Sequence, residues 1–126
     1  MKYVFFLMIL FLSNFLFGQK PVFHNLKEPN LHAGCYLEGK NGKTIGNLTE
    51  EGGALFNFNG KDEIFPAMKG TKEYLEVFGN KMYKIYIKEK KSTKVEGTCI
   101  ENKIYSIKII YKKKAYFYTK KGMCGC

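Results

Sequence analysis

Apolar and polar residues alternate along the C-terminal half of the chain with the two-residue period of a β-strand. In 82–88, Tyr83, Ile85 and Ile87 share one face, and Lys84, Tyr86 and Lys88 share the other. The segment 104–111 repeats this pattern. Both segments are therefore predicted to be strands with one buried face. The predicted core residues are Tyr83, Ile85, Ile87, Tyr105, Ile107, Ile109 and Phe117.

Turn signals separate these runs at nearly regular intervals. Asn41-Gly42 and Asn59-Gly60 are hairpin signals, because both residue types tolerate the positive φ of a type I′ turn. No later stretch keeps a helical period over three turns, and only 70–78 could form a short helix. We predict an all-β fold, an antiparallel meander forming a barrel or sandwich of about eight strands. The predicted strands are 34–38, 44–49, 54–58, 74–78, 82–88, 94–100, 104–111 and 115–119.

The N-terminus has the pattern of a secretory signal peptide over residues 1–18. Lys2 gives the positive start, 4–17 is almost wholly apolar, and Gly18 is a small residue at a cleavage point. The apolar stretch is shorter than the roughly 20 residues that span a bilayer, so the mature form should have no transmembrane anchor. We predict an exported protein, periplasmic or extracellular. The mature chain should have an extended, partly disordered lead-in over 19–33 and a single β-domain over 34–126.

Cysteine usage agrees with export. The chain has four cysteines, Cys35, Cys99, Cys124 and Cys126, and an oxidising compartment favours disulfides. A bridge between Cys124 and Cys126 would close a strained ring. We therefore expect each of these two to pair with Cys35 or Cys99, in an order that stays open.

The alternative use of these cysteines is a soft-metal site, with His24 or His32 completing the ligands. The even cysteine count and the absence of Cys-x-x-Cys favour disulfides. We assign no metal and no other cofactor.

Charge is concentrated in one part of the chain. Residues 81–126 hold 13 lysines against three glutamates, whereas residues 19–80 hold seven lysines against eight acidic residues. The chain has no arginine, and so it lacks the rigid bidentate donor that reads guanine or phosphate. Sequence-specific nucleic-acid binding is therefore not expected, whereas a diffuse polyanion-binding face is compatible with this composition.

Lysine alternates with tyrosine on the predicted outward faces of the three basic strands. Such a face combines charge with flat aromatic rings, as in sites for single-stranded nucleic acids and sugar polymers. The same pattern is also typical of the solvent side of an exported β-domain. The anion-binding candidates are Lys84, Lys88, Lys108, Lys112, Lys113, Lys114, Tyr116, Tyr118 and Lys120.

Catalytic chemistry has little support. Hydrolysis needs a nucleophile with a base, paired carboxylates or a metal. The one aspartate, Asp62, lies beside Glu63 in a turn-like stretch, and both histidines lie in the lead-in. We therefore predict that the protein is not an enzyme.

The ends of the chain carry a resemblance. Phe17-Gly18-Gln19, Gly34-Cys35-Tyr36 and the closing Gly122-Met123-Cys124-Gly125-Cys126 resemble those of small, uncharacterised, exported bacterial β-proteins. The chain is also similar in architecture to the periplasmic lysozyme inhibitors, which are small disulfide-stapled β-barrels. An inhibitor of a basic enzyme needs an acidic face, however, and this chain has a net charge of +10.

Two functional classes stay open. The first is a binding or inhibitor module that presents the basic face to an anionic envelope polymer or an acidic protein surface. The second is a structural envelope protein with no dedicated ligand site. The sequence does not fix the oligomeric state.

Overall fold

Each strand pairs antiparallel with the next along the chain, and the last pairs with the first, so the sheet closes into a barrel. The structure is a computed structural model that describes residues 20–28, 34–49 and 52–125. The predicted signal peptide, His32 and Cys126 lie outside these ranges. The strands are β1 (Gly34–Glu38), β2 (Thr44–Thr49), β3 (Gly53–Phe56), β4 (Glu63–Met68), β5 (Glu76–Gly79), β6 (Tyr83–Lys94), β7 (Glu101–Tyr111) and β8 (Lys114–Cys124).

The core fills the barrel where the register places apolar side chains opposite one another. Ile107 on β7 lies opposite Ile87 on β6 and opposite Tyr118 on β8, and residues opposite each other share a face. The six core residues predicted on β6 and β7 are all buried. The all-β prediction is confirmed, and the described residues form no helix. The buried cluster also includes Leu37, Ile45, Leu48, Ala54, Phe56, Phe58, Phe65 and Phe78.

One strand prediction was wrong, and one strand was missed. The segment 94–100 is not a strand: β6 ends at Lys94, and the Val95 amide then bonds to the Ile100 carbonyl across a turn. In contrast, β4 was missed. It contains Pro66, and a proline makes a segment a weaker strand candidate because it cannot donate a backbone hydrogen bond. Only Phe65 in this strand is buried.

The prediction that Phe117 contributes to the core was also wrong, since its side chain is 69% exposed. The turn between β7 and β8 explains the error. Lys112 and Lys113 have φ of 49° and 65°, the positive values that a two-residue type I′ turn needs, and Tyr111 therefore pairs with Lys114. A shift of one residue reverses every face of a strand. Phe117 accordingly lies outward, opposite Lys108.

One end of the barrel is covered by residues 20–28, which we call the strap. The His24 amide donates to the Asn57 carbonyl and the Leu26 amide to the Thr44 carbonyl, at 2.8 and 2.9 Å. The turns that join β1 to β2, β3 to β4, β5 to β6 and β7 to β8 lie at this strap end. The opposite end, where β1 begins and β8 finishes, is called the cavity end.

A disulfide fastens the seam where the barrel closes. Cys35 on β1 is bonded to Cys124 on β8, at the cavity end, and the two residues are 89 apart in sequence. This pairing fits the expected use of the terminal cysteines. Cys99 is also disulfide-bonded, and the described residues contain no free cysteine.

Candidate functional site

The predicted basic face lies on the outside of β6, β7 and β8. These strands are neighbours in the barrel, and Tyr86 lies opposite Lys108, which in turn lies opposite Phe117. Lys84 and Lys88 flank Tyr86 along β6. The structure therefore brings together the candidates Lys84, Lys88 and Lys108, and we call this surface the basic face.

Lys108 is held at the centre of the basic face by two aromatic rings. Its ammonium nitrogen lies 4.4 Å from the ring centroid of Tyr86 and 4.9 Å from that of Tyr74. Lys88 lies 5.7 Å from the Tyr74 ring and 3.9 Å from a carboxylate oxygen of Glu73. These contacts order both lysines; the charge of Lys108 stays on the outer surface, whereas that of Lys88 is shared with Glu73.

The three turn lysines lie at the strap-end edge of this face. Lys112, Lys113 and Lys114 are exposed, and the ammonium of Lys112 lies 5.2 Å from the Tyr111 ring. Because the turn is tight, three positive charges are concentrated at one corner. Lys121, which is exposed on β8, adds a charge toward the cavity end.

The outward placement of Tyr116, Tyr118 and Lys120 was wrong. In the register set by the β7–β8 turn, these residues lie opposite Ile109, Ile107 and Tyr105, on the inward side of β8. Lys114 lies opposite Tyr111 on the same side, although its position in the turn leaves it exposed.

Tyr118 is instead a contact of the strap. Its hydroxyl donates to the Pro21 carbonyl, its ring meets the Phe23 ring edge-on at 5.1 Å, and burial raises its pKa. The Lys120 ammonium lies 5.2 Å from the Phe23 ring. These two candidates therefore support the strap end and are not part of the basic face.

The exposed aromatic residue of the basic face is Phe117. Its prediction as a core residue followed from the outward placement of the alternating Tyr116 and Tyr118. The register is the signal that could have found it: if Tyr111 and Lys114 flank a two-residue turn, Phe117 must point outward.

A second candidate site lies inside the cavity end. A cavity of about 460 Å³ opens there, floored by Leu48, Ile87 and the Cys35–Cys124 disulfide. Glu76 lies opposite Ile87, and Glu89 lies opposite Tyr105, so both carboxylates occupy inward positions. The charged lining residues are Lys72, Glu73, Glu76, Lys88, Glu89 and Lys103.

Among these lining residues, Lys103 forms ion pairs with two carboxylates. Its ammonium lies 2.6 Å from a Glu89 oxygen and 2.8 Å from a Glu101 oxygen. The hydrogen bonds to Glu101 and Glu89 raise the pKa of Lys103. The lysine is therefore cationic at any physiological pH, and two carboxylates neutralise it.

Glu76 and Tyr105 are perturbed in a different way. Although Glu76 keeps an exposed side, partial desolvation by the surrounding cavity residues, followed by the charge of Glu89, raises its pKa, and the charge of Lys103 opposes this rise. Burial, followed by the charge of Glu76, raises the pKa of Tyr105 to about 12. The Tyr105 hydroxyl, 3.4 Å from the Cys124 sulfur, is therefore neutral at physiological pH and available for hydrogen bonding.

Comparison with protein-family models, curated proteins and solved structures finds no match to this chain. The proposed function therefore rests on the geometry and charge of the site. Within residues 20–28, 34–49 and 52–125, no cluster of His, Cys, Asp or Glu could hold a metal ion. No helix in that part of the chain is long and apolar enough to cross a membrane.

Proposed function

We propose that the mature protein is an exported binding module whose basic face holds anionic polymers or acidic protein surfaces. The observation that carries this proposal is the separation of charges on β6, β7 and β8. None of the outward positions on these described strands is acidic. Glu89 and Glu101 lie on the inward side, where both are bonded to Lys103.

The lysines suit a diffuse electrostatic interaction. Ammonium groups attract phosphate, sulfate or carboxylate without the directional fork of a guanidinium, so selectivity for sequence or stereochemistry should be weak. The contacts of Lys108 with the Tyr74 and Tyr86 rings fix its charge in place. A fixed charge loses less side-chain freedom when a ligand binds.

Phe117 gives the basic face a second means of binding. The ring is largely exposed beside Lys108, where a base or a sugar ring could stack on it. Stacking on an aromatic platform contributes about 1–3 kcal/mol per base in single-stranded nucleic-acid sites. This contribution does not depend on salt, so it can be separated from the charge contribution.

The test is titration with DNA and with an anionic polysaccharide at two or more salt concentrations. Affinity should fall as salt rises, because each neutralised phosphate releases condensed counterions. The triple variant Lys112→Gln, Lys113→Gln, Lys114→Gln should reduce the magnitude of the slope of log K against log salt by about 2–3. Phe117→Ala should weaken binding and leave this slope unchanged.

A matched control is the variant Lys40→Gln, Lys43→Gln, Lys61→Gln, which removes the same charge from strap-end turns away from the basic face. Its slope should change less than that of the β7–β8 turn variant. Equal changes would mean that net charge alone attracts the polymer. No binding even at low salt would contradict the proposal and leave the lysines as the solubilising surface of a structural envelope protein.

A further inference from the structure

The cavity at the cavity end shares Lys88 with the basic face but, unlike that face, is lined by glutamates as well as lysines and by apolar side chains. We propose that it binds a small organic amine, whose protonated nitrogen pairs with the Glu76 carboxylate and whose apolar body packs on Leu48 and Ile87. This inference does not depend on the polyanion proposal, because the two sites share neither the ligand charge nor the principal contacts.

The cavity has the size and the lining of a small-molecule site. A volume of about 460 Å³ falls within the range of small-molecule pockets. Such pockets combine an apolar surface with a few convergent polar groups, and an eight-stranded barrel is just wide enough to hold one small ligand. Here Leu48, Ile87 and the disulfide supply the apolar surface, while Glu76 and Tyr105 supply polar groups.

The lining holds three lysines and three glutamates, Lys72, Lys88, Lys103, Glu73, Glu76 and Glu89. Lys103 is bonded to Glu89 and Glu101, and Lys88 is paired with Glu73, whereas Lys72 is exposed in the segment before β5. Glu76 lies at an inward position of β5, and no lysine of the described residues lies within ion-pair distance of it, although the charge of Lys103 acts against the rise in its pKa. Glu76 is therefore the lining carboxylate without an ion-pair partner.

A protonated amine is the ligand that suits an unpaired carboxylate. An anionic ligand would be repelled by Glu76, and a neutral ligand would leave Glu76 without an ion-pair partner. A protonated amine supplies the missing charge and up to three N–H donors. The neutral Tyr105 hydroxyl, which also lines the cavity, can accept one of them.

The experiment uses three probes with the same six-carbon body: hexylamine, hexanol and hexanoate. Each is titrated into the mature protein with labelled methyl groups and followed by NMR. Hexylamine should shift the methyl signals of Leu48 and Ile87 and leave those of Ile109, nearer the strap end, unchanged. Hexanol should bind about tenfold more weakly, because it lacks the charge-assisted hydrogen bond. Hexanoate should shift signals of the lysine-rich surface only.

Two variants that each remove one negative charge, one inside the cavity and one outside it, test where the amine binds. Glu76→Gln should weaken hexylamine binding about tenfold. Glu96→Gln, in the exposed turn between β6 and β7 and outside the cavity, should leave it unchanged. Equal binding of all three probes, equal effects of the two variants, or no shift at Leu48 and Ile87 in the unmodified protein would each overturn the proposal.

Discussion

The same strands build both ends of the barrel, but the side chains that point inward differ between the two ends. At the strap end the inward residues are aromatic, and Phe23 of the strap packs against the rings of Phe56 and Phe58, with centroids 5.8 and 5.2 Å away. At the cavity end the inward positions of β5, β6 and β7 carry Glu76, Glu89 and Lys103. Aromatic packing and ionisable inward side chains are thus separated along the barrel axis.

The strap end is an unbroken series of ring contacts. Phe58 stacks on Tyr83 at 5.0 Å, and Tyr83 stacks on Tyr111 at 4.7 Å. Each aromatic pair adds about 0.5–1.5 kcal/mol beyond its area burial. Gly46 makes room for this packing, since a Cβ there would lie 2.5 Å from the Phe56 ring.

The largest expected effect tests whether the aromatic end supports the fold. Phe56 is fully buried, so Phe56→Ala should lower the free energy of unfolding by about 3–5 kcal/mol in urea denaturation. Leu75→Ala is the matched change at the rim of the cavity, where the side chain is 82% exposed. It should change stability by less than about 0.5 kcal/mol. Similar losses in both variants would contradict the proposed division between the ends.

The Cys35–Cys124 disulfide fastens the barrel seam at the cavity end. Replacing Cys35 and Cys124 together by alanine should lower the free energy of unfolding by about 2–4 kcal/mol, because the bridge closes a loop of 89 residues in the unfolded chain. The comparison is with the wild-type protein in the same urea titration. An unchanged midpoint would mean that strand pairing alone holds the seam.

Peptide mapping of the unmodified protein tests the other bridge. Cys35–Cys124 uses one of the two terminal cysteines, so the sequence prediction now requires Cys99 to pair with Cys126. Recovery of a peptide that joins Cys99 to any other cysteine, or of free thiols, would contradict it.

The strap is attached through Asp62, and this gives the strap end a pH dependence. The Asp62 carboxylate accepts hydrogen bonds from the Lys27 and Glu28 amides and from the Asn57 side chain, at 2.9–3.0 Å. Burial opposes ionisation, but these hydrogen bonds lower the pKa of Asp62 overall. The attachment should therefore be complete above about pH 4, the ordinary aspartate range, and be lost as pH falls through the lowered pKa.

Asp62→Asn should cost about 1 kcal/mol of unfolding free energy, toward the lower end for such bonds because solvent screens this site. It should also increase hydrogen exchange at the Lys27 and Glu28 amides. Glu63→Gln removes a neighbouring charge without touching the strap and should leave that exchange unchanged. Protection of both amides in Asp62→Asn would show that other contacts hold the strap.

The sequence predicted the barrel well where alternation was strong and turn chemistry was explicit. The bounds of β1 and β2 agree with the structure, and so do the inward rows of β6 and β7. β4 could not be predicted because Pro66 and a single buried residue give it no alternation. The faces of β8 were reversed because a lysine-only turn does not show from composition which lysines have positive φ.

Of the two candidate sites, the basic face was partly predicted from the sequence and the cavity was not. Lys84 and Lys88 on β6 and Lys108 on β7 were found because each alternates with apolar residues along its own strand. The cavity was missed because its residues come from distant strands that only barrel closure brings together. One sequence feature could have indicated the cavity. Glu89 and Lys103 continue the inward rows of Ile87 and Tyr105, and charged residues at inward positions mark the end of the barrel where the apolar core stops.

The smallest expected effect is a gain in stability at the cavity end. Because the folded protein raises the pKa of Glu76, its charged form is disfavoured on folding, and the native state binds more protons than the unfolded chain above the ordinary glutamate value of about 4.3. Stability should therefore decline as pH rises from that value through the raised pKa, the opposite of the Asp62 effect. Glu76→Gln should abolish this decline and stabilise the protein at neutral pH by less than about 0.5 kcal/mol, since solvent screens the site. Urea denaturation of both proteins at pH 4 and pH 7 measures the difference. A loss of stability in Glu76→Gln at pH 7 would mean that Glu76 has a stabilising partner within the folded chain, and that its carboxylate is not free to bind an amine.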